Sequence, residues 1–448
     1  MRIAILNGRV LDPASGFDGP AGVFIDDGRI LALGDAPAGF VADRTLDASG
    51  QWVLPGLVDL SARLREPGFE YKATLESEMA AALAGGITSL SCPPDTDPTL
   101  DEPGLVEMLK HRARRLDRTR LYPLGALTVG LKGETITEMA ELAEAGCVGF
   151  SHALAPLFDT QVLVRALQYA KSFGFTVWLH PQEPHLARGG VAHAGPVAGR
   201  MGLSGVPVMA ETLALHTIFE AVRATGCRVH LCRLSSAAGV ELVRQARKEG
   251  LPLTADVSAH HLHIIDVDIG WYEPNHRVDP PFRSQRDRAA LRAALADGTI
   301  DVVCSDHTPV DDDAKQLPYG EAEPGATGLE LLLPLVLAWA REEGVPPLDA
   351  VARVTTRPAA IVAEGAAAGG SDLEARRGLP RTPDEAPAAR LASGESADLC
   401  IVDPDRPWTV GPDTLRSQGR HTPFDGRELV GRVTATLVGG RVVHQLDL

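Results

Sequence analysis

Histidine, aspartate and arginine stand where short apolar runs end. His180 closes FTVWLH, Asp306 follows VVC in CSDHTP, and His230, Cys232 and Arg233 share VHLCRLSS. Arg63 and Arg65 lie in SARLREPG, just after the apolar run Leu57-Val58-Asp59-Leu60. Neutral imidazoles and carboxylates in such positions can hold Zn2+ at about 2.0 to 2.2 Å and leave a site where water is acidified into a nucleophile. A catalytic zinc uses three protein ligands plus water. The arginines oppose it: a guanidinium keeps its proton, and each unit of like charge near a metal costs on the order of 4 kcal/mol at about 4 Å and an effective dielectric near 20. HHLH at 260–263 looks like a metal cluster but is not expected to be one, and His307 reads as a loop hydrogen bonder. No nucleophile elbow, phosphate loop or dinucleotide fingerprint is present, and Cys232 has no His/Asn arrangement that would make it a nucleophile.

The elements that must position these residues alternate in type. Residues 1–53 hold short β-like segments broken by Asn-Gly and Asp-Gly turns, and ADLCIVDP with GRVTATLVGGRVVHQ repeats the pattern at the other end. Both ends therefore read as one small sheet or sandwich. Between them come eight strand candidates, at 57, 87, 120, 147, 175, 228, 252 and 300, separated by amphipathic stretches such as ATLESEMAAALAGG and VMAETLALHTIFEAVRATG. Parallel strands joined by right-handed helical crossovers make a (β/α)8 barrel, whose chemistry belongs at the C-terminal strand ends. The expected division is 1–54 for the first part of the β domain, 55–363 for the barrel, 364–395 for a flexible insertion and 396–448 for the rest of the β domain. The insertion is expected to be a loop because an Ala/Gly run leads into EARRGLPRTPDEAPAARLASGE.

The 448 residues, 44% hydrophobic and 23% charged, suit one large barrel with a satellite. A net charge of −16 argues against nucleic acid. No run approaches the ~20 apolar residues of a membrane span, and MRIAILNGRVLDP lacks a signal-peptide layout, so the expected location is cytoplasmic, without a membrane role. The six cysteines form no CxxC pair and are expected to be reduced and mostly buried.

PGLVDL with LREPG, AGGITSLSCPP, LTVGLKG, EAGCVGFS, HRVDPPFR, CSDHTP, PGATGLE and ADLCIVDP, in that order, resemble the dihydroorotases of the amidohydrolase superfamily over nearly the whole chain. The resemblance implies a zinc centre held by His-x-His after strand 1, a carboxylated Lys or an Asp after strand 4, histidines ending strands 5 and 6, and an Asp ending strand 8. Here Ser61 and Arg63 replace the first pair, Ser151-His152-Ala153 occupies the strand 4 position and Arg233 the strand 6 position, while His180 and Asp306 remain. Arg65 matches the arginine that grips the substrate carboxylate. Asp95 and Asp279 stand where the family has asparagines, and Asp95 is expected to repel an anionic substrate.

The resemblance therefore implies a dihydroorotase-like pseudoenzyme of pyrimidine synthesis. No catalytic residue and no metal cofactor are expected, although active relatives use zinc. Asp306 and His180 would be remnant ligand positions, and Arg65, Asp95 and Asp279 a remnant substrate site. Arg233 first, or Arg63 second, is expected to pair with Asp306, which would otherwise be a buried charge without a partner. Inactive chains of this type associate with aspartate carbamoyltransferase, so its catalytic chain is the expected partner in a homo- or hetero-oligomer. Two alternatives stand beside this reading. One is an active cyclic amidohydrolase with a metal relocated to His180, Asp306 and either His230 or His152; the other is a small-anion sensor built on Arg65.

Overall fold

The computed structural model describes residues 1–116, 118–370, 386–387 and 389–446. Eight β units follow one another through the middle of the chain: Leu57–Asp59, Ile87–Cys92, Arg120–Pro123 continued by Gly125–Ala126, Phe150–Ser151, Thr176–Leu179, Arg228–Leu231, Leu253–Ser258 and Val302–Cys304. Every neighbouring pair is parallel, in a three-stranded and a six-stranded run that meet where the third unit breaks at Leu124. Leu124 bridges the break, its N–H donating to Cys92 O at 2.9 Å. The ring closes beyond the eighth strand, where Arg63 N donates to His307 O (2.8 Å) and His307 N to Ser61 O (3.1 Å). The architecture is the expected barrel with an added sheet domain.

Strand alternation explains the two apolar layers. Val229, Leu231 and Val303 pack outward against the helices, while Val58, Leu60, Tyr122, Trp178, Val302 and Cys304 form a separate inner cluster. Helices begin at side-chain caps and end at left-handed glycines, as with Asp159 and Gly174 around Thr160–Phe173, or Gly226 (φ 66°) after Val208–Thr225.

Both chain ends build the flanking sheets. In one six-stranded sheet the order is Arg441–Gln445, Glu428–Val438, Leu399–Thr409, Trp52–Pro55, Arg9–Asp12 and Phe17–Pro20. A four-stranded sheet with Ile3–Leu6 and Gly22–Asp26 at its centre packs on it through Ile3, Ile5, Val23, Val53, Leu399 and Leu437.

The expected loop at 364–395 needs correction at its start. Helix Thr356–Gly370 runs on through the Ala/Gly stretch, because alanine is the best helix former and the helix has a wall to lie on. Ala359 and Val362 seal the inner barrel cluster, and Gly365 sits so close to the Val148 carbonyl that a Cβ there would collide with it. Residues 371–385 and 388 of that segment lie outside the described residues. All six thiols are free, five of them buried.

Candidate functional site

The barrel mouth carries residues with unusual backbones. Arg65 (φ 61°), Ala153 (φ 50°), Arg233 (φ 58°) and Asp306 (φ 49°) stand past strands 1, 4, 6 and 8 in the left-handed region. Such strain costs of order 1 to 3 kcal/mol per residue and clusters where a site dictates the geometry. At Arg233 it also breaks strand alternation, so side chain and backbone serve different acids.

Arg233 Nη1 donates to Asp306 Oδ1 at 3.3 Å, with the two side chains only 4% and 7% exposed. This is the pairing expected from sequence, made through one contact rather than a fork. Burial pushes the Asp306 carboxyl up to about 6, against the pull of Arg233 and Arg63. Burial alone would lower the Arg233 guanidinium, but Asp306 more than reverses that, and the arginine stays charged. His180 faces this pair electrostatically. Burial, then Arg233, hold it down at about 4, so the imidazole is neutral. Its Nδ1–H donates to Cys232 O (3.2 Å), and its buried Nε2 has no hydrogen-bond partner among the described residues.

Arg63 takes a different acid from the one considered for it. Its Nε donates to Asp95 Oδ2 at 2.8 Å and its Nη1 to Thr308 Oγ1 at 3.0 Å. Burial alone would raise the Asp95 carboxyl, yet Arg63, with Arg65 and Arg233 behind it, holds it below its usual range. The charge of Asp95, expected to repel an anion, is thus matched at contact distance by Arg63. Arg65 donates from Nε to Pro309 O (2.9 Å) and approaches Glu323 at 3.7 Å, a carboxylate that Lys72 also holds at 2.5 Å. Arg63, Arg65 and Asp95 line one small cleft, while Asp279, whose Oδ1 accepts from Gln182 Nε2 (3.4 Å), stands on the His180 side.

Neither relocated metal set is assembled. Buried His152 uses both ring nitrogens, Nδ1–H donating to Ala155 O (2.8 Å) and Nε2 accepting from Thr128 Oγ1 (2.9 Å); burial lowers its basicity and keeps it neutral. His230 points into the barrel, with Nε2 on Asp256 Oδ2 (2.9 Å), Nδ1 on Thr254 Oγ1 (2.8 Å) and its ring 4.6 Å from Trp178. Sequence spacing separates His230 and Arg233 onto opposite strand faces, but both reach Asp256: Arg233 N donates to Asp256 Oδ1 at 2.6 Å. Among the described residues, His230, Cys232 and Asp256 are the one group of three metal-type donors within 4.8 Å of one another. Two of them are already engaged: His230 and Asp256 hydrogen-bond each other, and Asp256 also accepts from Arg233 N, whose guanidinium stands beside the group. The residues present do not fit a catalytic zinc.

Asp256 is the buried residue of this pocket that sequence reasoning missed. Its signal was an acid inside the apolar run PLTADVS, which cannot be buried without donors. His307 proves structural: Nε2–H donates to Glu78 Oε2 (2.7 Å) and Nδ1 accepts from Gly328 N (3.2 Å). Of HHLH, His260 and His261 are core residues, and His263 Nε2–H donates to Leu335 O at 2.9 Å.

A family model described as Dihydro-orotase-like matches residues 50–238. A dihydroorotase-like protein of Pseudomonas aeruginosa is 41% identical over 445 residues, covering 99% of this chain and 100% of that one. A dihydroorotase of Anaeromyxobacter dehalogenans is 38% identical over 445 residues, with 99% and 98% covered. Among solved structures, the L-hydantoinase (dihydropyrimidinase) from Arthrobacter aurescens superposes with a TM-score of 0.81 at 26% identity, covering 99% of this chain and 96% of that one.

Proposed function

Because the chain belongs to the dihydroorotase-like family of amidohydrolases, we propose that it is a member whose barrel has become a scaffold and no longer a catalyst. One observation carries this reading: a buried arginine, Arg233, stands at the strand 6 ligand position and pairs with Asp306. Catalysis in this family needs a Lewis acid and an activated water, and a fixed guanidinium supplies neither. Names among the relatives include both dihydroorotase and dihydroorotase-like protein, so support comes from the site and not from the names. The partner that fits the reading is the catalytic chain of aspartate carbamoyltransferase, the enzyme of the preceding step, held in a hetero-oligomer in the cytoplasm. A retained barrel without its chemistry still offers surface, and a stable contact needs more than about 1,000 Å2.

The test has two arms. Protein purified without chelator should contain far less than one zinc per chain and should not turn over dihydroorotate. Mixed with the purified carbamoyltransferase catalytic chain, it should form a complex visible by size exclusion with light scattering at micromolar concentration. Stoichiometric zinc with turnover would overturn the scaffold reading, and absence of a complex would overturn the partner.

A further inference from the structure

Trp271 is 93% exposed, the most exposed large apolar side chain among the described residues. It sits past the seventh barrel strand, between Val267 (53% exposed) and Tyr272 (39%), on a loop that is anything but loose. Ile269 is buried with Ala192, Ala198 and Tyr319, and Asp268 Oδ2 accepts from Ile265 N at 2.8 Å. Gly270 (φ 57°, ψ −119°) and Tyr272 (φ 60°) take backbones that lift the intervening tryptophan outward. Tyr272 Oη donates to Met201 O (2.7 Å), and buried Lys315 pins the far side through Pro274 O (3.1 Å) and Arg277 O (3.0 Å). A tryptophan this exposed on a tied-down backbone gains nothing for the fold. It is contact area of the kind that dominates interfaces, where large aromatic anchors in desolvated pockets carry most of the affinity.

The surroundings choose the occupant. Asp268 and exposed Glu273 flank the tryptophan in sequence, and the segment that Lys315 ties to Pro274 and Arg277 adds exposed Asp312, Asp313 and Glu321; Asp312 is paired with His421 (2.9 Å), and Arg200 and Arg420 are exposed cations on the adjoining segments, so the acids outnumber the cations. A second copy would set this acidic rim against itself, on a chain already at −16. We infer that the Trp271 loop is the anchoring surface for a different protein, one that presents an apolar pocket rimmed by lysine and arginine. This deepens the scaffold reading above and rests on it.

The experiment uses the full chain and the purified carbamoyltransferase catalytic chain, with binding followed by surface plasmon resonance. Trp271→Ala should weaken binding about thirtyfold or more while the melting temperature stays unchanged, and Trp271→Phe should keep most of the affinity. Asp313→Lys should slow association at low salt and lose its effect at high salt. Leu213→Ala, on another exposed apolar position (44%), should bind as wild type. If wild type binds and Trp271→Ala binds equally well, the anchor is overturned and the scaffold reading stands. If wild type fails to bind at all, both fall. If wild type is instead a dimer that Trp271→Ala makes monomeric, the choice of occupant is overturned.

Discussion

At the former metal position the decisive quantity is charge kept out of water. Arg233 and Asp306 are each nearly buried, so removing one partner strands the other. Arg233→Ala is expected to cost about 3 to 5 kcal/mol at pH 7.5, measured by denaturant unfolding. The loss should shrink at pH 5, because Asp306 already titrates near 6 in the intact pair and, without the arginine, burial alone raises it further. An undiminished loss at pH 5 would show that packing, not charge, is at stake. This pair was legible from sequence because the ligand positions of a known pattern had changed to residues of definite charge. The Arg63–Asp95 pair was not, since it joins the ends of two strands whose relative reach depends on a left-handed turn at Arg65. Nor was the convergence of His230 and Arg233 on Asp256, which needs the alternation to fail at one residue.

Among elements, helix Thr356–Gly370 shows how far composition misleads. An Ala/Gly run looks like a linker, yet its start continues a helix that packs on the inner barrel cluster through Ala359, Val362 and Ala366. Alanine in place of glycine within a helix ordinarily stabilises by about 1 kcal/mol. Gly365→Ala should do the reverse and cost about 1 to 3 kcal/mol, because the methyl meets the Val148 carbonyl. A thermal melt decides by its sign: a raised melting temperature would mean that the helix is free to move off the barrel. The strands were easier to read, since apolar runs closed by Gly or Pro and spaced by amphipathic stretches point to one topology. Their lengths were overread where short strands are extended by irregular backbone, as at Phe150–Ser151.

For the whole molecule, burial of imidazoles sets the response to acid. His180, His261, His263 and His444 are held at about 4 and His260 at about 3, each chiefly by burial. A histidine whose folded value is depressed contributes stability that is complete above its unfolded value of about 6.5 and is lost as pH falls towards the folded value. Asp306 and Glu330, raised to about 6 and about 7 by burial, act oppositely and favour the folded state as pH falls. With His152, His193 and His276 lowered as well, and Asp59 and Asp266 raised, eight histidines stand against four acids and stay in control between pH 6.5 and 4. Unfolding free energy should therefore drop steeply over that window, with net proton uptake on unfolding; a flat profile would mean that water reaches these rings.

The sheet shared by the two chain ends also imposes an order of events on the ribosome. Trp52–Pro55 lies between Arg9–Asp12 and Leu399–Thr409, so one of its edges is complete early and the other waits for a strand made about 340 residues later. At roughly 5 to 20 residues per second, that is about 20 to 70 s of synthesis with an open edge of Trp, Val and Leu. The barrel grows outward from that strand through Leu57–Asp59 during the whole interval. The strand Leu399–Thr409 is therefore the clasp of this sheet, the piece whose docking covers the open edge.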